Sequence, residues 1–238
     1  MPSNLTASNL TEGAVVAIVV PNQVFAEISL GGRSLKVVGY LPWHEGRSRV
    51  ERFIAARFRK VHGALVHSFL PTLISLEAAG GEILAAIGVR SAQTEKLFLE
   101  HYLNQSIELE ISRLSRMPCA RRDVIEVGNL AGGQRGISRC FFAVLAAVLQ
   151  EWGARWLACT GTADVANVFH RLGIQPFEIM LAQPERLPGG GAEWGRYYEH
   201  QPTVMVGEIV AGLRRVAQTG LLQRCHFKTV EVRDVLIA

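Results

Sequence analysis

Between about residues 123 and 182 the chain alternates strand-like and helix-like patterns in an order that few folds accommodate. Residues 124–127 form a short β-branched run. Gly132, Gly133 and Gly136 crowd the loop behind it. Residues 137–151 then make a long apolar helix closed by Trp152 and Gly153. Residues 156–160 read as a strand, 163–172 as a helix stopped at Gly173, and 174–182 as a core strand. Strands separated by helices of this length are joined by crossovers, so the spacing predicts an α/β fold with a partly parallel sheet.

The flanking segments add shorter elements. Residues 14–20, 23–30 and 34–40 read as strands with turns at Pro21-Asn22 and Gly31-Gly32. A helix is expected over 49–62, with Val50, Phe53, Ile54 and Val61 on one face and Arg52, Arg57, Arg59 and Lys60 on the other. Residues 73–78 and 83–89 flank Ala79-Gly80-Gly81 as a hairpin. A helix is expected after Thr94, with Leu97, Phe98, Tyr102 and Leu103 as its stripe, and another over 106–116. Beyond the Gly189–Gly191 break, 204–218 reads as an amphipathic helix and 226–237 contains a last strand. Three parts follow: N-terminal strands over 1–45, a main domain over 46–185, and a C-terminal extension over 186–238.

Composition narrows the function classes. Half the residues are hydrophobic (49%) and only 19% are charged, which suits a sizeable core rather than a disordered chain. Surplus apolar surface has a ligand tunnel, a partner or a homodimer as its destination, or simply a full core. The net charge of +4 is mild, and no basic run alternates with aromatics, so nucleic acid is not expected as a partner. The modest positive field suits a phosphorylated cofactor or an acidic carrier protein. The four cysteines, Cys119, Cys140, Cys159 and Cys225, form no C-x-x-C pair. A core of this size needs no disulfide, and a cytoplasmic location is expected. The start lacks a basic region and a long apolar run, so no signal peptide is expected.

The glycine-rich loop carries the chemistry. Gly133-Gln134-Arg135-Gly136-Ile137-Ser138-Arg139 follows a strand and opens a helix. The first amides of a helix lack internal partners and favour an anion, and Arg135 and Arg139 can add charged hydrogen bonds. Glycine can also serve turn geometry alone. The loop is not a P-loop and does not fit G-x-G-x-x-G.

Arg135-Gly136-Ile137-Ser138, the helix, Trp152-Gly153 and Asn167-Val168-Phe169-His170-Arg171-Leu172-Gly173 together resemble the GCN5-related N-acetyltransferase (GNAT) fold. That resemblance implies a GNAT-like mixed central sheet flanked by helices, with a small N-terminal β addition and a C-terminal helical and strand extension. It also implies an acyl thioester substrate, acyl-CoA or acyl carrier protein, whose phosphopantetheine arm and phosphate lie on residues 133–139. Gly88-Val89-Arg90, residues 97–103, the phrase Glu126-Val127-Gly128-Asn129-Leu130-Ala131 and residues 194–199 resemble the thermostable hemolysin family. More distantly the pattern is similar to acyl-homoserine-lactone synthases. Glu126 matches the acid of their Glu-x-Ser-Arg strand, and Asn129 stands in place of the arginine.

Acyl transfer to an amine needs a polarised carbonyl, a deprotonated amine and a stabilised thiolate. The resemblance implies Glu126 as base, Asn129 as a partner for the carbonyl or the pantetheine amide, and Arg90 as a substrate contact. Phe169 stands where acetyltransferases often carry a tyrosine acid, leaving His170, or a phenol of Tyr197 or Tyr198, to supply the proton. Each has a structural alternative: an ion pair for Arg90, a turn for Asn129, a surface site for His170. Glu100-His101 lacks a second histidine, so no metal is expected. The expected function is N-acyl transfer to a small amine or amino acid. The alternatives are a membrane-active protein using the amphipathic 204–218 segment, and an acyl-binding protein without catalysis.

Overall fold

In a computed structural model the fold is described over residues 23–132 and 137–229, with the side chains of Ile137 and Ser138 outside that description. The expected strand 14–20, the loop positions Gly133, Gln134, Arg135 and Gly136, and residues 230–237 lie outside the described residues.

Strands β1 (Gln23–Leu30) and β2 (Arg33–Tyr40) form a hairpin, followed by helix α1 (Arg47–His62). A second hairpin pairs β3 (Thr72–Ala78) with β4 (Ile83–Ser91). Helix α2 (Ile107–Ser115) leads to β5 (Val124–Gly132), α3 (Ile137–Glu151), β6 (Trp156–Gly161) and α4 (Ala163–Arg171). The chain closes through β7 (Phe177–Leu181), β8 (Thr203–Glu208), α5 (Ile209–Gln218), α6 (Leu221–Cys225) and β9 (Phe227–Thr229).

The described strands make one sheet in the order β7-β8-β6-β5-β4-β3-β2-β1-β9. Its β5–β6 pair is parallel, as the α3 crossover requires, and all other pairs are antiparallel. This is the mixed sheet with flanking helices expected from the sequence. Strand alternation divides the core between two faces. Ile74, Leu76, Ile87 and Val89 pack with Phe141, Val144, Leu145 and Val148 of α3. Their neighbours Leu73 and Ala86 pack with Val50, Ile54 and Phe58 of α1.

Four local expectations are corrected. The helix after Thr94 is one 3-10 turn, Phe98–His101, because carboxylates cap its amides: Glu100 accepts from Leu97 N–H at 2.8 Å, and Glu126 accepts from the next two. The helix 204–218 begins only at Ile209. Val204, Met205 and Val206 are buried in β8, inside the sheet, so the amphipathic stretch loses its first turn. The strand within 174–182 is an edge strand with Phe177 and Leu181 exposed. No disulfide was required by the core, yet Cys140 of α3 pairs as one with Cys225, their Cα atoms 6.3 Å apart. The segment read as a C-terminal extension supplies β8 within the sheet and β9 at its far edge. No helix among the described residues is long and apolar enough to cross a membrane.

Candidate functional site

The site begins where two parallel strands part. β5 and β6 are in register from Val124–Trp156 to Val127–Cys159. β5 continues to Gly132 and β6 to Gly161 without further pairing to each other. On its other side β5 carries a bulge: Gly88 pairs with Gly128 and Ala86 with Ala131, so Asn129 and Leu130 together face Ile87. Asn129 takes a left-handed backbone, with φ of 50°. Beyond the bulge β5 rejoins β4 at Ala131 and Gly132 but no longer pairs with β6, so its backbone groups on the β6 side face a gap.

The bulge also builds a wall. Asn129 Oδ1 accepts a hydrogen bond from Leu70 N–H at 2.8 Å, and its Nδ2 donates to the Ser68 carbonyl at 3.4 Å. This ties residues 68–70 down over the sheet. The contact needs bare backbone below it: a Cβ on Gly88 would sit 2.7 Å from Leu70 Cβ and 2.8 Å from Asn129 Oδ1.

The gap is a cavity of about 350 Å³. Gly128 to Gly132 of β5 and Thr160 of β6 border it. Phe58 and His62 of α1, Phe141 and Phe142 of α3, and Trp194 and Tyr197 complete its walls. The cavity is therefore largely apolar and aromatic, with backbone polar groups along one side. Phe142 also borders a second, apolar hollow of about 40 Å³ between α3, α4 and β8.

Four residues singled out in the sequence meet here: Glu126, Asn129, Arg90 and Tyr197. Glu126 is only 4% exposed. Its two oxygens accept hydrogen bonds from the Phe98 and Leu99 amides at 2.9 and 2.8 Å. Burial pushes its carboxyl above the ordinary glutamate value, and the two amides only partly offset that. Arg90 stands opposite Glu126 across the β4–β5 ladder. Its Nε lies 3.2 Å from Glu95 Oε1, an ion pair without hydrogen-bond alignment that leaves this buried nitrogen unsatisfied, and its Nη1 donates to the Lys96 carbonyl. The carboxamide of Asn129 is likewise occupied by residues 68–70.

Two others are not brought in. His170 is exposed on α4 and does not line the cavity. The α4 residue buried beside it is Phe169, packed edge-to-face on Phe142 at 6.0 Å. Tyr198 lies behind the cavity wall, its hydroxyl 2.6 Å from that of Tyr102. The phenols on the wall are those of Tyr102 and Tyr197, both pushed far up by burial. Tyr197 donates to the Thr160 carbonyl at 3.2 Å. Of the loop 133–139, only Arg139 has a described side chain, and it is exposed. The adjoining Gly132 carbonyl accepts from Arg57 Nη2 at 2.6 Å.

Sequence reasoning missed His62, Arg57 and Thr160 as cavity residues. His62 Nδ1, Arg57 Nε and Thr160 Oγ1 are buried without a hydrogen-bond partner among the described residues, yet all three side chains line the cavity. Native interiors leave few such atoms, and those that remain call for a ligand or water. Arg57 belongs to the basic face of α1, which as a pattern looks like an ordinary solvated face, and His62 follows buried Phe58 by one turn at the end of the helix. No group of three or more metal-ligating side chains occurs among the described residues.

The fold is shared with known structures. An N-acyl amino acid synthase from uncultured soil microbes superposes with a TM-score of 0.50 at 12% identity, over 83% of this chain and 97% of that one. An insect protein assigned as arylalkylamine N-acetyltransferase 7, from the yellow fever mosquito, gives 0.50 at 11% identity, over 81% and 98%. An uncharacterised protein of Bacillus halodurans gives 0.51 at 9% identity, over 85% and 99%. At these identities the likeness establishes the GNAT-like fold. A search of curated protein sequences gives no match. The sequence profile of thermostable hemolysins matches residues 41–213, well over half of the chain, and the chain belongs to the thermostable hemolysin family.

Proposed function

We propose that the protein is an N-acyltransferase that moves an acyl group from acyl-CoA or acyl carrier protein to a small amine or amino acid. The observation that carries this reading is the parting of β5 and β6 at the Asn129 bulge, which opens an unpaired strand edge onto an apolar cavity. A phosphopantetheine arm is extended and bears two amides. It would lie beside residues 128–132 as a strand lies beside a sheet edge, its amides paired with free backbone groups. Its phosphate end would then reach residues 133–139 and the start of α3, and its thioester the aromatic interior.

The residues around the thioester take simple roles. Amides freed at the bulge would polarise the carbonyl. Glu126 would hold the Phe98–His101 turn that carries Phe98 into the cavity wall. Asn129 would hold the 68–70 wall over the bound arm. A chain growing past Phe142 would enter the second apolar hollow, which favours donors longer than acetyl. In this reading Glu126 serves the Phe98–His101 turn and His170 faces out, so the proton of the acceptor amine goes to another group.

Native mass spectrometry of the protein with acetyl-CoA, palmitoyl-CoA and palmitoyl-loaded acyl carrier protein tests the donor. One thioester should bind above the others, and thiol should be released when amines or amino acids are added. No binding of any thioester would overturn the reading. Binding without thiol release to any acceptor would leave an acyl-binding protein in its place.

A further inference from the structure

We propose that His62 is the general base of this site, taking the proton from the acceptor amine at Nε2. The inference rests on the acyltransferase reading above. Four observations support it. His62 ends α1 on the wall of the cavity, facing the gap between β5 and β6. Its ring stands edge-to-face against Tyr197 at 5.2 Å, and Tyr197 reaches across to the Thr160 carbonyl on the far strand. Its Nδ1 is buried without a partner, while Nε2 neither bonds a described group nor is buried, which leaves Nε2 as the accessible nitrogen. No carboxylate lies within ion-pair distance of the ring among the described residues.

The surroundings keep the ring uncharged. Burial pushes its pKa below 6.5. His200, whose ring lies 5.4 Å away, and Arg196 push the same way. Asp164 of α4 opposes them more weakly, and Glu193 and the phenol of Tyr197 complete the groups on that side. At neutral pH the imidazole is therefore a free base, as an amine acceptor requires. Exposed His200 beside it offers the proton a way out to water.

An ammonium acceptor gives one proton to His62 Nε2 and becomes an amine. Its nitrogen lone pair attacks the thioester carbonyl, a C–N bond forms, and the C–S bond breaks. The departing thiolate takes the second nitrogen-bound proton, giving an amide and a free thiol. The proton on His62 then passes to solvent.

The test is the pH dependence of kcat/KM, followed by thiol release, in the wild type, His62→Gln and Glu126→Gln. His62→Gln is expected to lose about 100-fold or more, the usual contribution of a positioned base, and to lose the acid limb below pH 6.5. Glu126→Gln is expected to keep that limb. Activity of His62→Gln within threefold of wild type, or an acid limb that vanishes in Glu126→Gln instead, overturns the proposal while leaving the acyltransferase reading intact. A wild type that binds thioester but releases no thiol to any acceptor overturns both. Should His62→Gln fail to fold, modification of the wild-type imidazole by diethylpyrocarbonate, mapped by peptide mass spectrometry, decides: loss of thiol release in step with modification of His62 supports the proposal, and full activity with His62 modified overturns it.

Discussion

Glu77 and Glu126 are both buried carboxylates on neighbouring parts of one sheet, 8% and 4% exposed, yet the protein treats them in opposite ways. Glu77 is saturated. It accepts from the hydroxyls of Tyr40 at 2.7 Å and Ser75 at 2.6 Å, and from Arg49 Nη2 at 2.9 Å. Burial alone would raise its carboxyl, but these partners outweigh burial and hold it below the ordinary value of 4.5. Glu126 has two backbone amides and no cation in contact, it faces the cavity, and its carboxyl is raised. A buried charge that serves only the fold is surrounded by partners. A buried charge beside a binding site is left partly unsatisfied, and so are its neighbours His62, Arg57 and Thr160.

The sharpest way to break this contrast is to remove Glu77. Glu77→Ala would leave Arg49, Tyr40 and Ser75 facing a void. Breaking a buried pair costs about 3–5 kcal/mol, and since Arg49 is 41% exposed the expected loss is about 3 kcal/mol. Urea denaturation would measure it. Thioester binding by the folded fraction should be unchanged, because none of these residues lines the cavity. A loss of binding equal to the loss of stability would erase the distinction between the two carboxylates.

Removal of Asn129 should have a smaller effect on stability and a larger one on binding. Asn129→Ala leaves the Leu70 N–H without its acceptor, and because that bond is only partly buried the cost lies at the low end of the usual range, about 1–2 kcal/mol. Asparagine also tolerates φ of 50° better than alanine, which adds about 1 kcal/mol. The expected total is about 2–3 kcal/mol by denaturation, with weaker thioester binding because the 68–70 wall is released. Asn129→Gly keeps the backbone freedom but not the clamp. It should therefore recover the backbone share of the loss, about 1 kcal/mol, without recovering affinity. Recovery of both would mean that the backbone shape of the bulge, and not the clamp, makes the site.

The parts of this arrangement legible in sequence were those with local signatures. β-Branched runs, glycine punctuation and the apolar helix 137–151 gave the order β5–α3–β6–α4 and the parallel pair. The interior of the sheet was harder to read. Val204, Met205 and Val206 sit in a strand buried on both faces, so they show no alternation and merge with the helix that follows. Glu126 and Asn129 were visible as a motif, but their partners Phe98, Leu99, Ser68 and Leu70 come from segments 27 to 61 residues away. His62 carried no signal at all. Only the fold turns the end of a basic helix toward Tyr197 and the cavity, and only there does the lack of a partner for Nδ1 distinguish it from any surface histidine.

The smallest expected effect, and the most direct comparison of the two carboxylates, is in the pH dependence of stability. The folded-state pKa of Glu77 is depressed. Its contribution is fully present above 4.5 and is lost as pH falls through the lower folded value. Glu126 is raised, so the sign reverses: its carboxyl favours the fold at low pH, and that advantage is lost as pH rises from 4.5 through the higher folded value. Thermal denaturation of Glu77→Gln and Glu126→Gln from pH 3.5 to 8 separates the two. Relative to wild type, Glu77→Gln should be least stable near neutral pH and close the gap in acid. Glu126→Gln should change little in acid and gain on wild type as pH rises, since a neutral amide oxygen can still accept from one of the two amides without burying a charge. If both variants lose stability most at neutral pH, Glu126 is held as an ordinary structural carboxylate, and the cavity loses the feature that sets its floor apart from the rest of the sheet.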